Sequence, residues 1–116
     1  MYLNMEVTQL DKEMMKGSID LLLLSIINQR DLYGYELIQI IKRLSDNTYE
    51  MSEGTLYAAL KRLERKGFVQ SYWKETESGR RKYYHMTDSG KKELQLKREN
   101  WKWMDSLIQR SSESLT

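Results

Sequence analysis

The chain has 116 residues, enough for one compact domain with an appended element but not for two ordinary domains. Its composition, 40% hydrophobic and 31% charged, excludes an intrinsically disordered chain, and the absence of cysteine excludes a disulfide framework and a thiolate metal site. The formal net charge of +2 is too small to indicate a nucleic-acid partner by itself.

The first predicted element is a buried helix over residues 19–27, whose apolar side chains leave no wide polar face. This run is interrupted by Asp20 and Ser25 and is too short to cross a bilayer, and the first residues lack a basic region followed by a cleavage site. We therefore expect a cytoplasmic protein without a membrane partner. The more polar, methionine-bearing segment 5–15 is predicted to extend this helix or to lie against a partner subunit.

Two short helices are predicted next. Apolar residues spaced by three and four over 35–44 form one face of a second helix. Ser52 is a suitable N-cap for a third helix, which ends at Gly67. The inward stripe of this third helix is predicted to be Leu56, Leu60 and Leu63.

A β-hairpin and a long helix complete the predicted fold. Residues 68–75 and 80–86 are rich in aromatic and β-branched side chains, and residues 76–79 supply turn chemistry between them. A last helix begins at Thr87 and runs to about Arg110. The fold class is thus mainly α with a small β-hairpin, the order of a winged helix-turn-helix. We predict a DNA-binding domain with an N-terminal helical extension over 1–86 and a C-terminal dimerisation helix over 87–116.

Positive charge is concentrated between positions 61 and 82, where eight cations stand against three carboxylates while the rest of the chain is net negative. A run of charges is ordinarily a solvated surface. The predicted architecture favours a nucleic-acid partner instead, because the third helix of a winged helix-turn-helix reads DNA and the hairpin tip lies beside it. Double-stranded operator DNA is therefore the predicted partner.

The predicted DNA contacts come from the third helix and the hairpin tip. With its leucine stripe inward, the third helix turns hydroxyl and cationic side chains outward, where they can bond phosphates or base edges. After Gly79, a flexible joint, strand alternation prevents three consecutive cations from facing the same way. One is expected in the minor groove and another on phosphate, and the pattern leaves open which is which. The predicted set is Thr55, Tyr57, Lys61, Arg62, Gly79, Arg80, Arg81 and Lys82.

The last helix carries an apolar stripe with steps of seven, three and four, as in a helix that buries one side against another helix. Two copies packed on each other would bury this stripe and place their two DNA-binding domains at half-sites one helical turn of DNA apart. The alternative is that the stripe packs on its own winged domain. The predicted dimer-interface residues are Leu94, Trp101, Met104 and Ile108.

Enzymatic chemistry is not expected. No nucleophile is placed with a base and an orienting group, and no glycine-rich loop is available to hold phosphate. His85 is the only histidine and has no cysteine or second histidine near it in the sequence. We predict no catalytic residue, no metal site and no cofactor.

Several motifs resemble one known family. The sequence reads GTLY at 54–57, LKRLE at 60–64 and GRRKYY at 79–84, followed by Thr87 and Gly90. In order and spacing these motifs resemble the PadR family of transcriptional regulators, and the short C-terminal helix resembles its compact branch. The resemblance implies a repressor of nearby promoters, a homodimer built by the terminal helices, and operator contacts through the third helix and the wing.

Within that branch, Trp101 and Asp105 resemble positions of a multidrug-sensing repressor in which paired tryptophans sandwich flat aromatic compounds at the dimer centre. The resemblance implies ligand contacts by Trp101 as a stacking platform, Asp105 as a partner for cations, and Met14. His85, where the family commonly has arginine, and the bulky Trp103 depart from the pattern. The alternatives are a DNA-binding dimer without a small-molecule ligand and a winged-helix protein-interaction module.

Overall fold

Residues 12–113 and 115 are described by a computed structural model, and within them the chain forms four helices and a three-stranded antiparallel sheet. The predicted extension over residues 5–15 lies mostly outside the described residues. The elements are α1 (Lys12–Ile27), β1 (Leu32–Tyr33), α2 (Gly34–Leu44), α3 (Glu53–Arg65), β2 (Val69–Thr76), β3 (Gly79–Met86) and α4 (Asp88–Glu113).

The predicted fold class is confirmed, with one addition to the predicted hairpin. Strand β1 pairs with β3 through Leu32 opposite Tyr84 and Tyr33 opposite Tyr83, which gives the strand order β1-β3-β2. A two-residue strand shows no alternation that sequence reasoning could detect. The β2–β3 hairpin, called the wing below, is therefore anchored along its base by a third strand.

The core is built from α1, α2, α3, the start of α4 and the inner face of the sheet. Leu23 and Leu24 of α1 are fully buried, which confirms the predicted buried helix. The stripe predicted for α3 is also confirmed, because its three leucines have no exposed surface. In the described residues, no helix has the length and apolar character needed to span a bilayer.

The ends of α3 are fixed by local chemistry. The Ser52 side chain accepts a hydrogen bond from the backbone N–H of Thr55 at 3.1 Å, as predicted for the N-cap. At the other end Gly67 adopts a φ of +81°, and the N–H of Phe68 bonds back to the carbonyl of Leu63 at 2.9 Å. This left-handed turn directs the chain from α3 into β2.

Helix α4 begins in close contact with the start of the wing. The Thr87 hydroxyl donates to the carbonyl of Gly67 at 2.7 Å and accepts from the N–H of Gly90 at 3.0 Å. A Cβ atom added at Gly90 would overlap the carbonyl oxygen of Phe68 and lie 2.7 Å from Sδ of Met86. The first turns of α4 therefore pack directly on backbone.

The two halves of α4 have different surroundings. Leu94 is only 2% exposed and belongs to the core beside α1, whereas every residue from 98 to 113 is exposed. The outer half projects from the domain, whose principal extents are 60, 32 and 21 Å. The prediction that Leu94 lies in a dimer interface needs correction, because its own protomer already buries it. The seven-residue spacing from Leu94 to Trp101 looks the same in the sequence whether a residue packs in the core of its own protomer or against a partner subunit.

Candidate nucleic-acid interface

Helix α3 is held on both flanks by polar contacts. Arg62 donates to Asp20 of α1 at 2.6 Å, and the Ser71 hydroxyl of β2 donates to Glu64 at 2.6 Å. These contacts add to the buried leucine stripe and fix the rotation of the helix about its axis. The side of α3 that faces solvent is thereby defined.

The four residues predicted on α3 have different environments. Lys61 is exposed, whereas the half-buried Arg62 is committed to its ion pair with Asp20. Thr55 is exposed and its hydroxyl accepts from that of Ser52 at 3.0 Å. Tyr57 is 44% exposed, and its phenol end occupies the space beside the backbone of Gly34. Lys61 is therefore the predicted cation of this helix with the freest head group.

A solvent-facing stripe of α3 extends the predicted set. Gly54 and Ala58 are exposed near the start of the helix, and Arg65 is exposed four residues after Lys61 on the same side. The small residues allow another molecule to approach the backbone closely, and the two cations follow toward the C-terminal end. Sequence reasoning left Arg65 out, although its i, i+4 spacing from Lys61 was a usable signal.

The register of the wing determines on which face of the hairpin each cation at its tip lies. Trp73 pairs with Lys82 and Glu75 with Arg80, and Gly79 has a φ of +110° at the turn. Because side chains alternate, Arg80 and Lys82 lie on the same face as the buried Tyr84, and Arg81 lies on the opposite face. The expectation that the three cations cannot face one way is confirmed.

Aromatic rings cover that opposite face of the sheet. Tyr83 stacks on Tyr72 with ring centroids 5.8 Å apart and meets Tyr33 edge-on at 5.4 Å. The Arg81 guanidinium lies 4.5 Å from the Tyr33 ring centroid, and Lys74 Nζ lies 5.3 Å from that of Tyr83. Tyr83 is half-buried here and Tyr84 is buried on the other face, because adjacent side chains of a strand alternate.

A polar cluster ties the loop before β1 to the wing. Oδ2 of Asp31 accepts from the hydroxyl of Tyr72 at 2.6 Å, and Oδ1 lies 2.8 Å from Nδ1 of His85. Burial raises the pKa of Asp31, but the hydrogen bonds from Tyr72 and His85 outweigh it and lower the pKa overall. The same bond from the phenol to Asp31 raises the pKa of Tyr72 to about 12. His85 thus has a structural partner.

The eight cations of the basic segment 61–82 are largely without ion pairs among the described residues. Arg62 alone among these eight forms an ion pair with any described carboxylate. Within the described residues the other seven have no carboxylate partner, and the exposed ones among them can bind an external anion.

The outer half of α4 carries the remaining predicted residues. Trp101, Met104 and Ile108 are 44%, 46% and 57% exposed on one side of the helix. Asp105 is exposed one turn after Trp101 and accepts a hydrogen bond from the Gln109 amide at 3.3 Å. Met14 is 52% exposed on α1. The three apolar residues of α4 are called the seam below.

Comparisons with known proteins agree with one another. The model of the transcriptional regulator PadR-like family matches residues 23–96. An uncharacterised protein from Lysinibacillus sphaericus is 34% identical over 104 residues, which cover 89% of this chain and 95% of that protein. The transcriptional regulator YqjI of Escherichia coli is 29% identical over 92 residues, 79% of this chain but only 43% of the regulator.

Solved structures give the same result for the fold. The structure of a transcriptional regulator from Clostridium thermocellum superposes with a TM-score of 0.78 at 35% sequence identity. The match covers 85% of this chain and 97% of that regulator.

Proposed function

Since the chain belongs to the PadR-like family of transcriptional regulators, we propose that it binds operator DNA as a homodimer and represses the promoter that carries the operator. Members of this family are transcription regulators and not enzymes, which confirms the predicted absence of catalysis. The chain spans less than half of the Escherichia coli relative.

The observation that carries the proposal is the set of exposed cations on α3 and the wing that form no ion pair within the described residues. Lys61 and Arg65 project from the stripe of α3 that also presents Gly54 and Ala58, so the helix can enter a major groove and place its cations on the phosphates. Thr55 and Tyr57 offer hydroxyls at the flanks of this stripe. Beyond the turn at Gly79, the wing brings further cations to the same duplex.

Lys61→Ala combined with Arg65→Ala is expected to lower operator affinity about tenfold or more and to reduce the slope of log affinity against log salt by about 1 to 2. Each substitution removes one cation that neutralises phosphate. Fluorescence anisotropy would measure this with a labelled duplex from the promoter of the protein's own gene and a scrambled duplex of equal length. Lys102→Ala, on the polar side of α4, is the matched control. Wild-type affinity that is insensitive to salt would instead support a protein-interaction module.

The dimer rests on the outer half of α4, where the seam is exposed together with Trp103 and Leu107. Within one protomer the seam side chains remain exposed to water, whereas a second copy related by a two-fold axis would bury the seams of both protomers at once. Trp103, two positions after Trp101, lies on a different side of the helix. We accordingly assign residues 1–86 to DNA binding and residues 87–116 to dimerisation, except that Leu94 serves the core of its own protomer.

A ligand site is proposed beside the seam. Trp101 offers an exposed indole, and Asp105 places a carboxylate one turn away on the same side of the helix. This pair, with Met14 as a further apolar contact, resembles the aromatic site of the multidrug-sensing repressor LmrR. Planar aromatic cations fit such a pair, because the ring stacks on the indole while the charge meets the carboxylate.

Titration with berberine, a planar aromatic cation, is expected to quench tryptophan fluorescence and to release the labelled operator. Asp105→Asn is expected to weaken this binding about fivefold, while a neutral planar compound should bind both proteins equally. Operator binding without any quenching would favour the DNA-binding dimer that has no small-molecule ligand.

A further inference from the structure

We propose that Trp73 is the positioning residue of the wing: its indole holds Arg80 and Lys82 on the face of the hairpin that meets α3, and these two cations contact the DNA while Arg81 does not. This inference rests on the proposed function. It assigns a role to a residue outside the predicted set, and it divides three adjacent cations into two classes.

The indole of Trp73 serves as a platform for both cations. The Arg80 guanidinium lies 4.8 Å from the Trp73 ring centroid, and Lys82 Nζ lies 6.0 Å from it. Trp73 is 56% exposed and does not belong to the buried core. This exposed ring therefore contacts Arg80 through its quadrupole, and it shares Lys82 with the Tyr84 ring, which lies at the same 6.0 Å from Nζ.

The register places this platform on the side of α3. Ser71 and Tyr84 face each other across the wing, and Ser71 bonds to Glu64 of α3 at 2.6 Å. Trp73 and Lys82 form the next pair toward the tip on that same face, about 7 Å farther along the strands. The Trp73 platform thus extends the surface that begins at α3.

Arg81 has the opposite orientation. Its side chain is half-buried and covers the Tyr33 ring at 4.5 Å, on the outer face where Tyr83 also lies. Arg81 therefore fastens the wing to β1. A duplex lying along α3 would meet Arg80 and Lys82 first.

Stacking leaves Arg80 able to bind an anion. Glu75 stands directly opposite Arg80, yet within the described chain the guanidinium lies over Trp73 and forms no ion pair with a carboxylate. A cation–π contact uses the flat face of the guanidinium, so the N–H groups at its edge remain free to donate to phosphate or to a base edge. The ring also restricts the rotamers of Arg80 before binding, which lowers the entropy lost on association.

A set of single substitutions tests this assignment in the full-length protein. Trp73→Leu is expected to lower operator affinity about fivefold, Trp73→Phe to restore most of it, and Arg80→Ala to lower affinity about tenfold. Arg81→Ala, on the opposite face, is expected to lower affinity less than Arg80→Ala does. Lys102→Ala, on the polar side of α4, is the matched control and should change affinity by less than about twofold. Arg80→Ala should also reduce the salt slope by about 1, whereas Trp73→Leu should leave the slope unchanged because every cation is retained.

A double-mutant cycle separates positioning from a general structural role. If Trp73 acts through Arg80, the Trp73→Leu substitution should cost less affinity in the Arg80→Ala background than in the wild type. Additive losses, equal affinity of Trp73→Leu and wild type, or a larger loss for Arg81→Ala than for Arg80→Ala would each overturn the proposal. Loss of binding in Lys61→Ala with none in Trp73→Leu would overturn this inference alone, whereas a wild-type protein without salt-dependent DNA binding would overturn the proposed function as well.

Discussion

Met104→Asp combined with Ile108→Asp is expected to convert the dimer into monomers and to lower affinity for a two-half-site operator about 100-fold or more. Both side chains are exposed on the outer half of α4, one turn apart. In a dimer they would be buried, and carboxylates buried there without partners would cost several kcal/mol. Sedimentation velocity would measure the mass, and anisotropy with paired and single half-sites would measure the affinity.

The matched control places two carboxylates on the polar side of the same helix. Gln95→Asp with Ser106→Asp adds the same charge at exposed positions away from the seam. This variant should remain dimeric and bind the operator nearly as well as the wild type. If Met104→Asp with Ile108→Asp also stays dimeric, the seam does not join the subunits. Circular dichroism should show an intact fold in both variants, because none of the four positions is buried in the protomer.

Gly90→Ala is expected to lower the free energy of unfolding by about 2–3 kcal/mol and the melting temperature by about 10 °C or more. The added methyl group would overlap the backbone carbonyl of Phe68 and press on Met86 Sδ. A backbone carbonyl cannot swing aside as the end of a side chain can. Relief would require α4 to move away from the wing, with loss of the Thr87 cap. Thermal unfolding followed by circular dichroism would measure the change.

Gly17→Ala provides the same chemical change in a different setting. Gly17 lies within α1, and a Cβ added there meets nothing within 4 Å. This variant should be more stable than the wild type by about 0.5–1 kcal/mol, since alanine loses less backbone entropy than glycine in a helix. A Gly90→Ala protein that melts at the wild-type temperature would show that α4 does not pack on the start of the wing in this way.

Local patterns were sufficient to predict most elements of this fold. The leucine stripe and the Ser52 cap located α3, and the turn residues at 76–79 located the wing, because each depends on neighbours in the sequence. Strand β1 was not predictable, since its two residues are defined only by pairing with β3. Leu94 was misplaced because the same helical spacing serves a protomer's own core and a partner's surface.

The candidate DNA-binding site was harder to predict than the fold, because it depends more on contacts between distant parts of the chain. Helical geometry predicted that Arg62 leaves the core, but its partner Asp20 lies 42 positions earlier, outside any local pattern. Strand alternation likewise predicted that Arg80 and Arg81 face opposite ways. Which face meets α3 follows only from the register and from the burial of Tyr84.

The Arg62–Asp20 ion pair would have a mechanical consequence in the proposed dimer. It fastens α3 to α1, and α1 packs in turn against the first half of α4, so the three helices form a stiff block. The projecting part of α4, residues 98–113, is about 24 Å long and would act as a lever arm fixed to that block. In the proposed dimer, a tilt of about 5° at the far end would shift the block by about 2 Å relative to the block of the second subunit. Helix α3 would then move together with its whole protomer.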